Sequence, residues 1–117
     1  MEFEANKPIY SQIADLIVNK IIREELKSGD KLPSIREMAK EFNVNPNTVQ
    51  RAYQELDMLK ITENKRGKGI FVSIDENEIK KMKISVAKEM LNKFISEMKK
   101  IDIDKDFIVK FIEENWR

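Results

Sequence analysis

Ile9, Ile13, Leu16, Ile17, Ile21 and Leu26 recur at the three-and-four spacing of a helix that buries one side. They predict a first helix from about Pro8 to Lys27; Pro8 suits a first helical turn and Gly29 the release of the chain afterwards. Pro33 biases Leu32 towards an extended backbone. Ser34 then opens a second helix, because its hydroxyl can accept from the Glu37 amide while the Glu37 carboxylate reaches back to the Ser34 amide, a capping box. Ile35, Met38, Ala39 and Phe42 take one side of that helix, and Arg36, Glu37, Lys40 and Glu41 the other. Asn43-Val44-Asn45-Pro46 closes it and starts a third, since Asn tolerates a left-handed backbone, Asn45 suits a cap and Pro46 a first turn. Helix three, Pro46 to about Leu59, should bury Val49, Ala52, Tyr53 and Leu56 and leave Asn47, Thr48, Gln50, Arg51 and Gln54 outside. Leu32 to Tyr53 therefore reads as a helix-turn-helix with a polar outer face.

Beyond it, Ile61-Thr62-Glu63-Asn64 and Ile70-Phe71-Val72-Ser73 are short β-prone runs separated by Lys65-Arg66-Gly67-Lys68-Gly69, a predicted hairpin. Helical spacing returns over residues 79–101, through Ile79, Met82, Val86, Met90, Phe94, Met98 and Ile101, widened by Ala87, Leu91 and Ile95. A last helix is predicted from about Lys105 to Trp116, with Phe107, Ile108, Phe111, Ile112 and Trp116 on one side. The expected fold is mostly α with a small β-hairpin: a winged helix-turn-helix over residues 1–74, then a two-helix tail over 75–117. Two such helices cannot bury both stripes against each other alone. Met90, Phe94, Met98, Phe107, Phe111 and Trp116 are expected to pair with the same hairpin of a second subunit, with docking on helix one as the competing arrangement.

Composition narrows the function classes. At 117 residues, 37% charged and 41% hydrophobic, the chain supports one small core with an appendage. Every apolar run is broken by charge and the amino terminus is acidic, so neither a membrane helix nor a signal peptide is expected, which predicts a cytoplasmic protein. The absence of Cys and His removes disulfides, the usual zinc sites, imidazole catalysis and thiol nucleophiles, and no nucleophile-base pair stands in for them; an enzyme is not expected. The net charge of +1 gives no hint of nucleic acid. Position says more: Lys60, Lys65, Arg66 and Lys68 face Glu63 alone between residues 60 and 68, a footprint of the kind phosphate binding needs, though a solvated turn has the same appearance. The two glycines would let the backbone approach a phosphate, or merely serve a hairpin turn. Asp102, Asp104, Asp106 and Glu113 have the spacing of a calcium loop, but Phe107 stands where such a loop needs Gly, so helix capping is the expected role and no metal or cofactor is foreseen.

Taken together, Pro8-Ile9-Tyr10, Gln12-Ile13, Gly29-Asp30-Lys31-Leu32-Pro33-Ser34-Ile35-Arg36, Asn45-Pro46-Asn47-Thr48-Val49, Ala52-Tyr53-Gln54-Glu55-Leu56 and Arg66-Gly67-Lys68-Gly69-Ile70-Phe71-Val72 resemble the winged DNA-binding domain of GntR-family repressors. The Asn-Pro-Asn-Thr-Val and Ala-Tyr pieces and the short tail are most similar to the YtrA-type subgroup. The resemblance implies a bacterial transcription regulator, a homodimeric repressor on an inverted-repeat operator in double-stranded DNA, controlling transporter genes. Helix three would enter the major groove and the hairpin wing the adjacent minor groove. Carried over by position and charge, the expected DNA-binding residues are Ser34, Arg36, Asn45, Asn47, Thr48, Gln50, Arg51, Lys65, Arg66, Gly67 and Lys68. Pro46 and Gln50 stand where many relatives have Arg, which shifts expected readout towards adenine. Lys60 replaces the usual Gly after helix three, so that turn is expected to differ or the helix to run on. The 43 residues after Ile74 are too few to enclose a metabolite pocket, so an effector is expected to be absent or held at the dimer interface. A winged helix also serves as a protein-protein adaptor, and that remains the alternative.

Overall fold

The computed structural model describes residues 2–117. Its elements are α1 (Ile9–Ile22), α2 (Ile35–Phe42), α3 (Pro46–Met58), β1 (Thr62–Lys65), β2 (Gly69–Val72), α4 (Glu76–Lys100) and α5 (Lys105–Asn115). They divide into two compact units, one ending at Lys81 and the other Met82–Arg117. The expected mostly helical fold with a small hairpin is the one found.

In the first unit α3 is the hub, packing against α1, α2 and β1. Ile13, Ala14, Ile17 and Ile21 of α1 are buried, as are Val49, Ala52, Tyr53 and Leu56 of α3. Ile9, expected in the stripe, is 42% exposed because it is the first residue of its helix. Gln12 is instead buried: its side chain accepts from the Glu4 amide and donates to the Glu4 and Lys7 carbonyls, tying the amino-terminal arm to α1. α1 stops five residues before the expected Lys27. Glu24 turns left-handed (φ 65°), its amide bonding to the Ile21 carbonyl and the Glu25 amide to that of Lys20, which closes a Schellman cap.

The same closure ends α3, with Lys60 in the left-handed position (φ 62°), its amide on the Asp57 carbonyl and the Ile61 amide on that of Leu56. The turn usual for glycine is thus kept by a lysine. A left-handed lysine costs about 1 kcal/mol, whereas fully burying an isoleucine contributes about 1.5 to 3 kcal/mol, and Ile61 is only 7% exposed. Burial of Ile61 wins. Lys60→Gly is therefore expected to stabilise the fold by about 1 kcal/mol, seen as a raised urea midpoint. An unchanged or lower midpoint would mean that the Lys60 side chain makes a compensating contact.

β1 and β2 pair antiparallel from Thr62↔Val72 to Lys65↔Gly69, one residue later at the start than predicted because Ile61 belongs to the helix cap. The Lys68 amide closes the turn on the Lys65 carbonyl at 2.8 Å, with Gly67 at φ 78°, the sign a type II turn requires of its third residue. A third segment joins unannounced by the sequence: the Leu32 amide donates to the Ile70 carbonyl and the Val72 amide to the Asp30 carbonyl, each at 2.8 Å, forming the Lys31↔Phe71 bridge.

α4 starts three residues before its first predicted apolar position, because the Asp75 side chain accepts from the Glu78 amide at 2.8 Å. In the second unit α4 ends with Asp102 left-handed (φ 58°) and the Ile103 amide on the Met98 carbonyl; Asp104 then caps α5 by accepting from the Phe107 amide at 2.9 Å. The capping role expected of these acids is met by Asp104. α4 and α5 make no close backbone approach to each other, and no residue of either helix is buried. Among the described residues no helix is long and apolar enough to cross a membrane.

Candidate nucleic-acid interface

The predicted capping box exists: Ser34 Oγ accepts from the Glu37 amide at 3.1 Å and Glu37 Oε1 from the Ser34 amide at 3.0 Å. These bonds to Ser34 hold the Glu37 carboxyl below its ordinary pKa, so it stays charged across the neutral range. Tyr53, buried under the turn, donates its hydroxyl to the Pro33 carbonyl at 2.8 Å and so pins the entry to α2 against α3. Burial raises its hydroxyl well above the usual tyrosine value, with the negative charges of Glu37 and Glu41 adding to the shift, so the phenol remains a donor. This bond fixes Ser34 and Arg36 relative to the outer face of α3.

α3 starts at Pro46 with Asn45 as cap, its side-chain oxygen accepting from the Asn47 amide at 2.8 Å. Asn45 and Ser34 therefore spend acceptors on the backbone. Asn47, Gln50, Arg51 and Gln54 are exposed and Thr48 is half-buried, as the periodicity required of this face. Arg51 does not stand free. Its guanidinium lies 4.0 Å from the centre of the Tyr10 ring, which orients the charge beside Asn47 and Thr48 along a hollow also lined by Ile9.

Gln50 borders a second hollow with Ile35, Gln54, Asp57, Asn64 and Ile70, where α3 meets the wing. A broader groove of about 490 Å³ runs from Lys31, Ser34 and Arg36 to Asn64, Gly67, Lys68 and Gly69. The start of α2, the outer face of α3 and the wing thus form neighbouring parts of one surface. The ion pairs found among the described residues, Lys7–Glu4 and Lys81–Glu78, lie elsewhere, which leaves Arg36, Arg66 and Lys68 without a carboxylate partner among those residues.

Lys65 departs from its companions. Alternation along β1 puts Thr62 and Asn64 towards the α3 side, where they line the Gln50 hollow, and Lys65 on the other face, with its ammonium 4.9 Å from the Phe71 ring centre. Three polar groups on this surface escaped the sequence reading. Asn64 faces the Gln50 hollow by that same alternation, which a correct strand register would have revealed. Lys31 is carried to the wing by the bridge to Phe71, and its side chain lies across Gly69, where an added Cβ would meet Lys31 Cε at 2.6 Å. Tyr10 is placed beside Arg51 by α1 packing on α3, which no local pattern announces.

A polar helix face joined to a cationic hairpin over a helix-turn-helix scaffold is the arrangement of winged DNA-binding domains. The model of the family described as "Bacterial regulatory proteins, gntR family" matches residues 9–72. Over 112 residues the chain is 42% identical to the uncharacterized HTH-type transcriptional regulator YhcF of Bacillus subtilis (strain 168), covering 96% of this chain and 93% of that protein. It is 33% identical over 111 residues to the HTH-type transcriptional repressor YtrA of the same organism, covering 94% and 85%. A solved structure of a GntR family transcriptional regulator from Listeria monocytogenes superposes with a TM-score of 0.86 at 39% identity, covering 96% of this chain and 98% of that one. The similarity to YhcF and YtrA runs through the short tail as well as the head, and the chain belongs to the gntR family of bacterial regulatory proteins, as a transcription regulator with a DNA-binding helix-turn-helix fold and not an enzyme.

Proposed function

We propose that the chain is a homodimeric repressor acting in the cytoplasm on an inverted-repeat operator, with the unit ending at Lys81 as the DNA-binding head and Met82–Arg117 as the dimerisation tail. The observation that carries this reading is the exposed α3 face, Asn47, Gln50 and Arg51, beside a groove lined by Arg36 and Lys68, neither of which is paired with a carboxylate among the described residues. α3 lies in the major groove, where the Asn47 and Gln50 amides pair with adenine in two-point fashion. Arg36 and the wing residues Arg66, Gly67 and Lys68 track the backbone on either side, with Ser34, Asn45 and Thr48 positioning the two helix starts. YtrA is named a repressor, and the same sign of regulation, of transporter genes near the protein's own gene, is proposed for this chain. An effector is absent or sits at the dimer interface.

A shift assay on the DNA upstream of the protein's own gene, followed by a reporter from that promoter, tests the reading. A retarded band competed only by specific DNA, with reporter output falling as the protein is supplied, is the expected result. Failure to shift any duplex at low salt would favour the adaptor reading. Replacing Arg66 and Lys68 together by Ala is expected to weaken binding to all sequences alike and to flatten the log-log salt dependence by about one unit per lost phosphate contact. An unchanged slope would remove the wing from the interface.

A further inference from the structure

Arg51 has a carboxylate at helical reach and does not pair with it. Glu55 follows four residues on, the spacing of an ion pair along a helix. Yet Arg51 enters no ion pair among the described residues, and Glu55 Oε2 is buried without a hydrogen-bond partner. The guanidinium lies instead on the Tyr10 ring, 4.0 Å from its centre. Tyr10 stands one turn before Ile13 and Ala14 on the stripe of α1 that continues to Ile17 and Ile21, so the packing of α1 on α3 fixes the ring beside Arg51. On α3, Arg51 shares its flank with Thr48 and Glu55, while Gln50 occupies the opposite flank against the wing. A hollow of about 430 Å³ thus opens at the start of α3 between Tyr10, Asn47, Thr48 and Arg51.

We infer that Tyr10 is a positioning residue for DNA binding: its ring withholds Arg51 from Glu55 and holds the guanidinium ready for a backbone phosphate lying over the first turn of α3. The inference rests on the DNA-binding reading proposed above and adds to it a residue of α1 that acts through Arg51. A guanidinium stacked on a ring spends its face and keeps its in-plane N–H groups, which are the ones that take a phosphate in two-point fashion. The half-buried ring also restricts a long, exposed side chain before the duplex arrives, so less rotamer freedom is lost on binding. Without the ring, Arg51 would be free to settle on Glu55, and the duplex would have to break that pair first. The positive end of α3 favours an anion at the same place. Gln50, on the other flank, is left to the bases.

Titrations of the full-length protein against the DNA upstream of its own gene, and against an unrelated duplex of the same length, test this coupling. Arg51→Ala is expected to weaken binding to both duplexes by a similar factor and to lower the log-log salt slope by about one. Tyr10→Leu keeps an apolar side chain at the seam of α1 and α3 but removes the ring face. It should lower the slope likewise and raise the Kd on both duplexes by about threefold to thirtyfold. Added to Arg51→Ala, Tyr10→Leu should cost little more, because the group it positions is already gone. Tyr10→Phe retains the ring and should restore parental binding and slope. Nuclear magnetic resonance of the parent gives a reading that needs no variant to fold: the Arg51 Cδ protons should be shifted upfield by the ring and stay shifted when the duplex is added. Effects of Tyr10→Leu and Arg51→Ala that multiply, a Tyr10→Phe protein as weak as Tyr10→Leu, or an Arg51 signal that returns to its ordinary position on DNA binding would each overturn the positioning role while leaving DNA binding standing. A parent that binds neither duplex at low salt overturns both.

Discussion

Gln50→Ala is expected to weaken binding to the preferred operator by about 1 to 3 kcal/mol while leaving non-specific affinity nearly unchanged. Gln50 lies on the exposed edge of α3, beside the hollow bordered by Asn64 and Ile35, while its neighbours Val49, Ala52 and Tyr53 anchor the helix in the core. Loss of its amide removes a donor and an acceptor that can meet one adenine together, and it disturbs no packing. Arg51, one residue on, is expected to behave differently: stacked on Tyr10, its charge is directed along the hollow beside Asn47 and Thr48, which suits a backbone contact. Selection from random DNA decides the matter. If Gln50→Ala returned the same preferred motif as the parent, the base-reading role would be wrong.

What could be read in advance was what depends on neighbours in sequence. Ser34 with Glu37, Asn45 with Pro46, and Asp104 before α5 are caps made within three residues, and each forms. Helix ends governed by tertiary burial were harder. Asn43, Lys60 and Asp102 are all left-handed; Asn and Asp tolerate that conformation, whereas nothing in a lysine announces it. What the three share is the next residue, Val44, Ile61 or Ile103, whose amide returns to a carbonyl five positions back while its side chain turns inwards. The polar residue before an inward apolar one then accepts a strained backbone, so Lys60 keeps a glycine's turn. The interface divides along the same line. The exposed row on α3 follows from its period, whereas Lys31, Asn64 and Tyr10 reach the surface through the pairing of residues 30–32 with β2, the strand register and the packing of α1 on α3.

A chain ending at Lys81 is expected to be monomeric and to bind a full inverted repeat hardly better than a half-site. All buried apolar residues lie at or before Val72, so this shortened chain retains its whole core, and the first turns of α4 stay with it, where Ile79 lines a hollow with Ile21 and Leu26. What it loses is the apolar surface of Met90, Phe94, Phe107, Phe111 and Trp116, all more than a third exposed, and the half-buried Met98. So much exposed aromatic and aliphatic surface on the two tail helices exceeds what soluble monomers commonly carry, and a second tail of the same kind is the cover proposed for it. Joining two heads in one body sets the recognition helices for major grooves about 34 Å apart, or a multiple of that, on one side of the duplex. The second head then binds at a high effective concentration, which raises affinity for the full site by roughly 10² to 10⁴ without a new contact. The same factor should be lost when the tail is removed, while affinity for a half-site is unchanged. Sedimentation and half-site against full-site titrations measure the two effects separately, and tight full-site binding by the shortened chain would place dimerisation in the head instead.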